Sequence, residues 1–299
     1  MFWLNQILQG VLLGGYYALL ASGLSFLFGV MRVVNLAHGS LVVLGSFLML
    51  VIYQSLGISP LGGLALMLPI MALVGVALQF LIIEPSLKGG MLVPLLATFG
   101  LALIIDNVLF SIFGADTQSF AANIGTLSYG SWNIGGGIYI GQLACLIFAV
   151  ALLVLGGMQL LLSYTQIGRR IRATAEDEDA ARLSGVNTRL VYAATAALAM
   201  VMVGLAGAAL GASNSFDPYA GGPQLLYAFE AVVIGGAGSL WGTLLGGIVL
   251  GVAQGLGGAV NTHLTQIAGH VVFLVVLIAR LYRGDKISLY LRRLYTRAA

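Results

Sequence analysis

The chain has 299 residues, of which 60% are hydrophobic and only 8% are charged, and its mean hydropathy is +1.02. Soluble domains typically carry about 25% charged residues, so this composition excludes an ordinary soluble protein. Apolar runs of roughly 20 residues, enough to cross about 30 Å of hydrocarbon, recur along the whole chain and predict a polytopic helical membrane protein.

We predict an all-α transmembrane bundle that forms a single domain over residues 1–299. About nine spans are expected, and a count of eight to ten fits the pattern equally well. The predicted spans are 4–28, 39–56, 60–83, 91–113, 140–163, 189–213, 225–241, 243–260 and 265–282. The first run has no basic segment before it and is too long for the core of a secretory signal, so we expect it to be a retained span.

Charge placement predicts how the bundle lies in its membrane. With nine spans, all 13 Lys and Arg residues fall on one side. They lie at Arg32, at Lys88, in or beside a polar loop at 164–188, and in or beside a basic tail at 283–299. Because loops rich in Lys and Arg stay in the cytoplasm, we expect this loop and the C-terminus to be cytoplasmic. The N-terminus and residues 114–139 are then expected outside.

The first connection, "GVMRVVNLAHGS", places polar residues between two apolar runs. Asn35 and His38 stand where the chain re-enters the membrane. Two roles remain open for them at this point. They could fix an irregular re-entry by capping a helix start and bonding exposed carbonyls, or they could contact a solute directly.

Two acidic residues, Asp106 and Glu230, lie inside predicted spans. An ionised carboxylate near the centre of a spanning helix costs about 2.5–3.5 kcal/mol on insertion scales, so such residues tend to face a cavity or a partner. They could line a solute path, or they could form interhelical hydrogen bonds. The candidate pathway residues are Asn35, His38, Asp106, Asn107, Glu230, Gly235 and Gly236. His263 and His270 are interpreted as structural.

Glycine recurs at every fourth position in several runs, as in Gly238, Gly242 and Gly246. Small residues at this spacing let membrane helices approach closely. The pattern predicts tight packing within the chain, and a dimer-forming face is the alternative. The compact "GGAGSLWG" at 235–242 predicts a tight turn or a broken helix.

Sequence motifs for catalysis are absent from the chain. It has no G-x-x-x-x-G-K-[ST] phosphate loop and no H-E-x-x-H, and three scattered histidines do not suggest a metal site. No nucleophile with a base and an orienting carboxylate is evident, which argues against an intramembrane hydrolase. We therefore expect no catalytic residue, metal or cofactor. A channel or an ion-coupled carrier for a small polar solute remains possible on composition alone.

The loop at 164–188, "YTQIGRRIRATAEDEDAARLSGVNT", contains a predicted short helix. Acidic residues at its start suit the helix dipole, and Gly185 is placed to end it. A rigid helix on the cytoplasmic surface could dock a soluble partner, and an ordinary solvated connector is the alternative.

Several stretches resemble the LivH-type permease subunits of branched-chain amino-acid ABC importers. The run Asp179-Ala180-Ala181-x-x-x-Gly185 is similar to the E-A-A-x-x-x-G core with which importer permeases engage their ATPases, although Asp179 stands where that motif has Glu. The opening "GLSFLFGVMRVVNLAHGSLVVLGSF" resembles the family's first-to-second-span signature. The runs "LLATFGLALIIDNVLFSIFG" and "AVVIGGAGSLWGTLLGGIVLGV" extend the resemblance over nearly the whole chain.

The resemblance implies a permease in the bacterial inner membrane that translocates branched-chain or related amino acids, with urea, amides or small aromatic acids as alternative solutes. It implies a second permease subunit (a LivM-like paralogue), two cytoplasmic ATPases that bind the ATP, and a periplasmic solute-binding protein. The residues it marks for ATPase coupling are Glu178, Asp179, Ala180, Ala181, Arg182, Leu183 and Gly185.

Overall fold

The computed structural model describes residues 1–90, 92–135 and 137–298, without the side chains of residues 60, 61 and 283–298. Eight helical segments in this described part are long and apolar enough to cross a membrane. They are α1 (Phe2–Met31), α2 (His38–Leu56), α3 (Pro60–Leu78) continued through a π-helical turn (Gln79–Ile83) into α4 (Glu84–Leu87), α5 (Leu92–Phe113), α6 (Gln142–Tyr164), α9 (Thr188–Ser213), α11 (Leu240–Val260) and α12 (Leu264–Ala298). The polytopic helical bundle is confirmed.

Shorter elements connect these spans. They are a 3-10 turn (Ala121–Leu127), strands β1 (Ser131–Gly135) and β2 (Ile138–Gly141), and helices α7 (Gln166–Glu176), α8 (Glu178–Leu183) and α10 (Gly221–Gly235). The strands pair in an antiparallel hairpin that was not predicted from the sequence. The predicted span 225–241 is wrong in its bounds, because the helix there has only 15 residues and begins at Gly221. The basic tail at 283–299 has its side chains outside the described residues.

The loops gather at two opposite ends of the bundle. At the end called here the basic end, α1 finishes at Arg32, the Arg189 guanidinium contacts the Glu84 carboxylate at 2.9 Å, and residues 165–187 pack as α7 and α8 against α1 and α9. At the end called the hairpin end, the Tyr139 N–H donates to the Asn5 side chain at 3.2 Å, which joins β2 to the start of α1.

Helix α1 forms the centre of the bundle and is mostly buried. It crosses α11 at close range, because an ideal Cβ on Gly10 or Gly14 would lie 2.6 or 2.5 Å from backbone atoms of α11. On another face of α11, a Cβ on Gly246 would lie 2.1 Å from the carbonyl oxygen of Ala231 in α10. These contacts confirm that the glycine spacing packs helices within the chain.

Helices α2 and α10 begin at mid-depth rather than at either end. The His38 ring, at the start of α2, contacts Leu20, which lies about 17 Å from the end of α1 at a rise of about 1.5 Å per residue. The start of α10 packs against the start of α2, and Gln224 in its first turn accepts a hydrogen bond from Tyr16 of α1 at 2.6 Å. From this level α2 runs to the hairpin end, whereas α10 runs to the basic end.

Candidate translocation site and coupling surface

Residues 32–37 form an irregular segment that leads from the end of α1 to the start of α2. The Asn35 side-chain oxygen accepts the N–H of Ala37 at 3.0 Å, and its backbone oxygen accepts the N–H of His38 at 3.2 Å. The N–H of Leu36 donates to Thr98 of α5 at 3.1 Å. The His38 Nε2 lies 2.7 Å from the Leu20 carbonyl, to which it donates. His38 bonds a backbone carbonyl as expected, whereas the expected side-chain cap at the start of α2 is not observed.

Residues 214–220 form a matching segment between α9 and α10. The Asp217 side-chain oxygen accepts the N–H of Tyr219 at 2.8 Å, and its backbone oxygen accepts the N–H of Ala220 at 3.1 Å. Both segments therefore place an Asx turn immediately before a helix, with glycine four residues after the Asn or Asp. The sequences are Asn-Leu-Ala-His-Gly at 35–39 and Asp-Pro-Tyr-Ala-Gly at 217–221.

The two segments meet, and we call residues 35–40 with 217–222 the junction. An ideal Cβ on Gly39 would lie 1.9 Å from the carbonyl oxygen of Gly221, so only glycine fits there. Ser40 packs against Gly221, and the Asp106 carboxyl of α5 lies beside the Ser40 hydroxyl. One turn beyond Asp106, the Phe110 ring lies 5.6 Å from that of Tyr219.

Part of the junction reaches the outer surface of the chain. Gly222, Pro223 and Tyr219 are exposed there, and Asp106 is partly exposed. Irregular backbone and a helix N-terminus at this depth cannot face hydrocarbon, because their polar groups would be left without partners. This face must therefore lie against protein or against a water-filled cavity.

Other predicted pathway residues lie away from the junction or are packed. The exposed Asn107 side chain bonds the Leu103 carbonyl of its own helix at 2.7 Å. Gly235 packs against α11, where a Cβ would lie 2.0 Å from the Gly242 carbonyl oxygen. Gly236 has a φ of 98° and begins the tight turn between α10 and α11 that the sequence predicted.

Glu230 belongs to a second polar cluster, between α1, α10, α11 and α12. Its carboxylate is fully buried and lies 2.5 Å from the Nδ1 of His270. The Tyr227 ring stacks on His270 with the centroids 6.3 Å apart, and Tyr17 donates to Gln254. The interhelical hydrogen bond that the sequence left open for Glu230 is present, and its partner is a histidine interpreted only as structural.

The connection at the basic end contains two helices rather than one. Helix α7 ends at Glu176, and the Asp177 side chain caps α8 by accepting the N–H of Ala180 at 3.0 Å. Glu178 holds α8 in place, because its carboxylate contacts Arg182 at 2.7 Å and accepts the hydroxyl of Tyr192 in α9 at 2.8 Å. The acidic residues in the first turn and Arg182 in the last both suit the helix dipole.

Beyond this bracing, α8 presents an uncovered surface. The Leu183 side chain is 90% exposed, and Asp179 and Ala180 are exposed as well, whereas Ala181 is buried. Gly185 ends the helix with a φ of 82°, and its N–H bonds the Arg182 carbonyl at 3.0 Å. An apolar side chain held out on a capped and braced helix is suited to contact another protein.

A family profile described as the permease component of branched-chain amino acid transport systems matches residues 6–281. The chain belongs to this family. It is therefore a permease component, a transport subunit that is not itself catalytic, and its apolar helices make it a multi-pass membrane protein.

This permease also resembles individual members of the family. It is 31% identical to the high-affinity branched-chain amino acid transport system permease protein BraD of Pseudomonas aeruginosa, over 92% of this chain and 93% of that protein. It is 28% identical to the corresponding LivH of Salmonella typhimurium, over 93% and 94%. A fructose import permease protein of Rhizobium meliloti, FrcC, is 29% identical over 73% of this chain and 61% of that protein. No solved structure gives a significant match.

The second half of the junction was not predicted from the sequence. Asp217, Tyr219 and Gly221 were not singled out, because the predicted span began only at residue 225. The repeated Asx-x-x-x-Gly spacing at 35–39 and 217–221 could have revealed it. Ser40 and Gln254 carried no signal in the sequence, since their roles depend on contacts between distant helices.

Proposed function

We propose that this permease works in the bacterial inner membrane as one subunit of an ATP-driven importer of branched-chain or related amino acids. Two cytoplasmic ATPases hydrolyse the ATP, and a periplasmic binding protein delivers the solute. BraD and LivH are permeases of branched-chain amino acid transport systems and match this chain over nearly their full length, which supports this solute class.

The observation that carries the proposal is the surface of α8. Its capped and braced backbone can transmit force, since Glu178 ties it to the start of the long helix α9. Leu183 is the apolar anchor that would enter a cleft on an ATPase, and Gly185 lets the chain turn away without a side chain. Closure of the ATPases would thus move α9 and the helices packed on it.

A second permease subunit, a LivM-like paralogue, would cover the exposed face of the junction. The support is physical, because the exposed backbone at Gly222 and the partly exposed Asp106 cannot lie in lipid. The solute path would then run between the two subunits along this face. The basic end would be cytoplasmic, because the described Lys and Arg residues gather there.

Reconstitution into proteoliposomes tests the proposal. We expect leucine uptake only when both permeases, the ATPases, the binding protein and ATP are present. Leu183→Ser should abolish ATPase co-purification and uptake, whereas Ile167→Ser should preserve both, since Ile167 is a 53% exposed apolar residue on neighbouring α7. Uptake by this chain alone would refute the importer and favour a channel or an ion-coupled carrier.

A further inference from the structure

Next to the junction, the Asp106 carboxyl of α5 is an acidic group inside the helical bundle. The Oδ1 atom of Asp106 is buried and has no hydrogen-bond partner among the described residues, although the carboxyl lies beside Ser40. Asp106 nevertheless remains partly exposed on the face that cannot lie in lipid. The buried Oδ1 atom cannot be reached from outside, so the exposed part of this carboxyl is what could meet a partner from outside the chain, and a carboxylate in a membrane requires one.

The charges around Asp106 favour a cation. The N-termini of α2 and α10 each carry about half a positive charge, so together they offset about one carboxylate. Asp106 and Asp217 are two carboxyl groups, and the Asp217 side chain already accepts a hydrogen bond from the N–H of Tyr219. Within the described residues, no Lys, Arg or His forms a salt bridge with either Asp. Asp106 therefore has no positively charged side chain as a partner within the described residues.

An apolar surface adjoins this acidic group. The Phe110 and Tyr219 rings pack 5.6 Å apart and are 41% and 51% exposed, so their outer faces are free to contact an aliphatic group. A solute with an ammonium group and a short hydrocarbon chain would match both features. Urea and carboxylates without an amine would lack the charge that Asp106 requires.

We propose that Asp106 binds the α-ammonium group of the solute as it passes the junction, and that Phe110 and Tyr219 contact its side chain. The inference rests on the proposed function and narrows it, because it selects amino acids over urea, amides and aromatic acids. Asp106 is then a specificity-determining residue in the permease itself.

Protection of an engineered thiol tests this site. Gly222→Cys places the thiol beside the junction, where a Cβ meets no atom within 4 Å, and Cys145→Ser removes the native cysteine. Alkylation of the assembled permease–ATPase complex is followed with three probes of similar size: leucine, 3-methylbutylamine and 4-methylpentanoate. Leucine and the amine should slow the reaction, and the acid should not.

Variants at neighbouring positions provide the comparison. Asp106→Asn should raise the leucine concentration needed for half-protection by about tenfold or more, since a hydrogen bond to a charged group is worth about a decade of affinity. Val108→Ala should leave it unchanged, because Val108 follows Asp106 by two residues on α5 and therefore lies on the opposite side of that helix. Equal protection by the acid, protection that survives Asp106→Asn, or no protection by leucine would overturn the inference.

Uptake by the same complexes separates this inference from the proposed function. ATP-driven leucine uptake without amine-selective protection would refute the ammonium site and leave the importer intact. If the complete complex imports urea or a carboxylate but not leucine, the amino-acid function fails and the site fails with it.

Discussion

His38 illustrates how single residues hold the broken helices in place. Its ring is 1% exposed and spans from the start of α2 to the middle of α1, where it bonds the Leu20 carbonyl. This buried position supports the structural role over direct contact with solute. His38 and its two candidate roles could be predicted from the sequence. Its hydrogen-bond acceptor could not, because Leu20 lies 18 residues away on another helix.

Gly39 offers the sharpest test of the junction. A methyl group at this position would overlap the Gly221 carbonyl oxygen, and backbone on both sides leaves no flexible side chain to move aside. We expect Gly39→Ala to destabilise the permease by about 3 kcal/mol, at the upper end of the usual cost of overpacking. Thermal unfolding in detergent measures this. Gly157→Ala, where the added Cβ meets nothing within 4 Å, should melt like the parent protein.

The Glu230–His270 pair predicts that a second substitution restores stability lost through the first. His270→Ala removes the partner of a fully buried carboxylate, which should cost about 3 kcal/mol because the acid is left uncompensated. Adding Glu230→Gln removes the acid and should restore a large part of the lost stability. Thermal unfolding of the single and double variants decides this, and a double variant no more stable than His270→Ala would contradict the buried-acid explanation.

At the scale of elements, the long apolar helices could be predicted and the interruptions could not. Hydropathy located eight helices because each must cover about 30 Å of hydrocarbon. It failed at α10, whose first turn contains Gly221, Gly222 and Pro223, residues that score as loop. Their helical conformation depends on packing against α2, a contact between residues about 180 positions apart in sequence. The β-hairpin was missed because its strands have only five and four residues.

Substitutions at Gly185, which ends α8, should weaken ATPase co-purification to different degrees. Gly185 has a φ of 82°, where a residue with a side chain pays about 1–2 kcal/mol of strain. Gly185→Ala should therefore weaken ATPase co-purification, and Gly185→Asn should weaken it less, because asparagine tolerates this conformation. Gly185→Trp should remove it altogether by adding bulk at the docking surface. All three variants should insert normally, and equal effects of Ala and Asn would argue against backbone strain.

At the scale of the whole molecule, the orientation of the bundle remains a prediction from charge. Single cysteines in a Cys145→Ser background test it. Tyr129→Cys at the hairpin end, where the residue is 77% exposed, should react with an impermeant thiol reagent added to intact spheroplasts. Asp179→Cys on α8 should react only after the membrane is opened. Asp177 is unsuitable for this purpose because its side chain caps α8. Labelling of position 179 from outside would reverse the orientation.

The contact between Gly39 and Gly221 has a mechanical consequence for the whole permease. Helices α2 and α10 leave this point in opposite directions, and their backbones interlock too closely there to slide past each other. The contact can therefore act as a pivot about which α2 and α10 tilt. A push on α9 from the basic end would tilt α2, because Gly207 of α9 packs on its backbone.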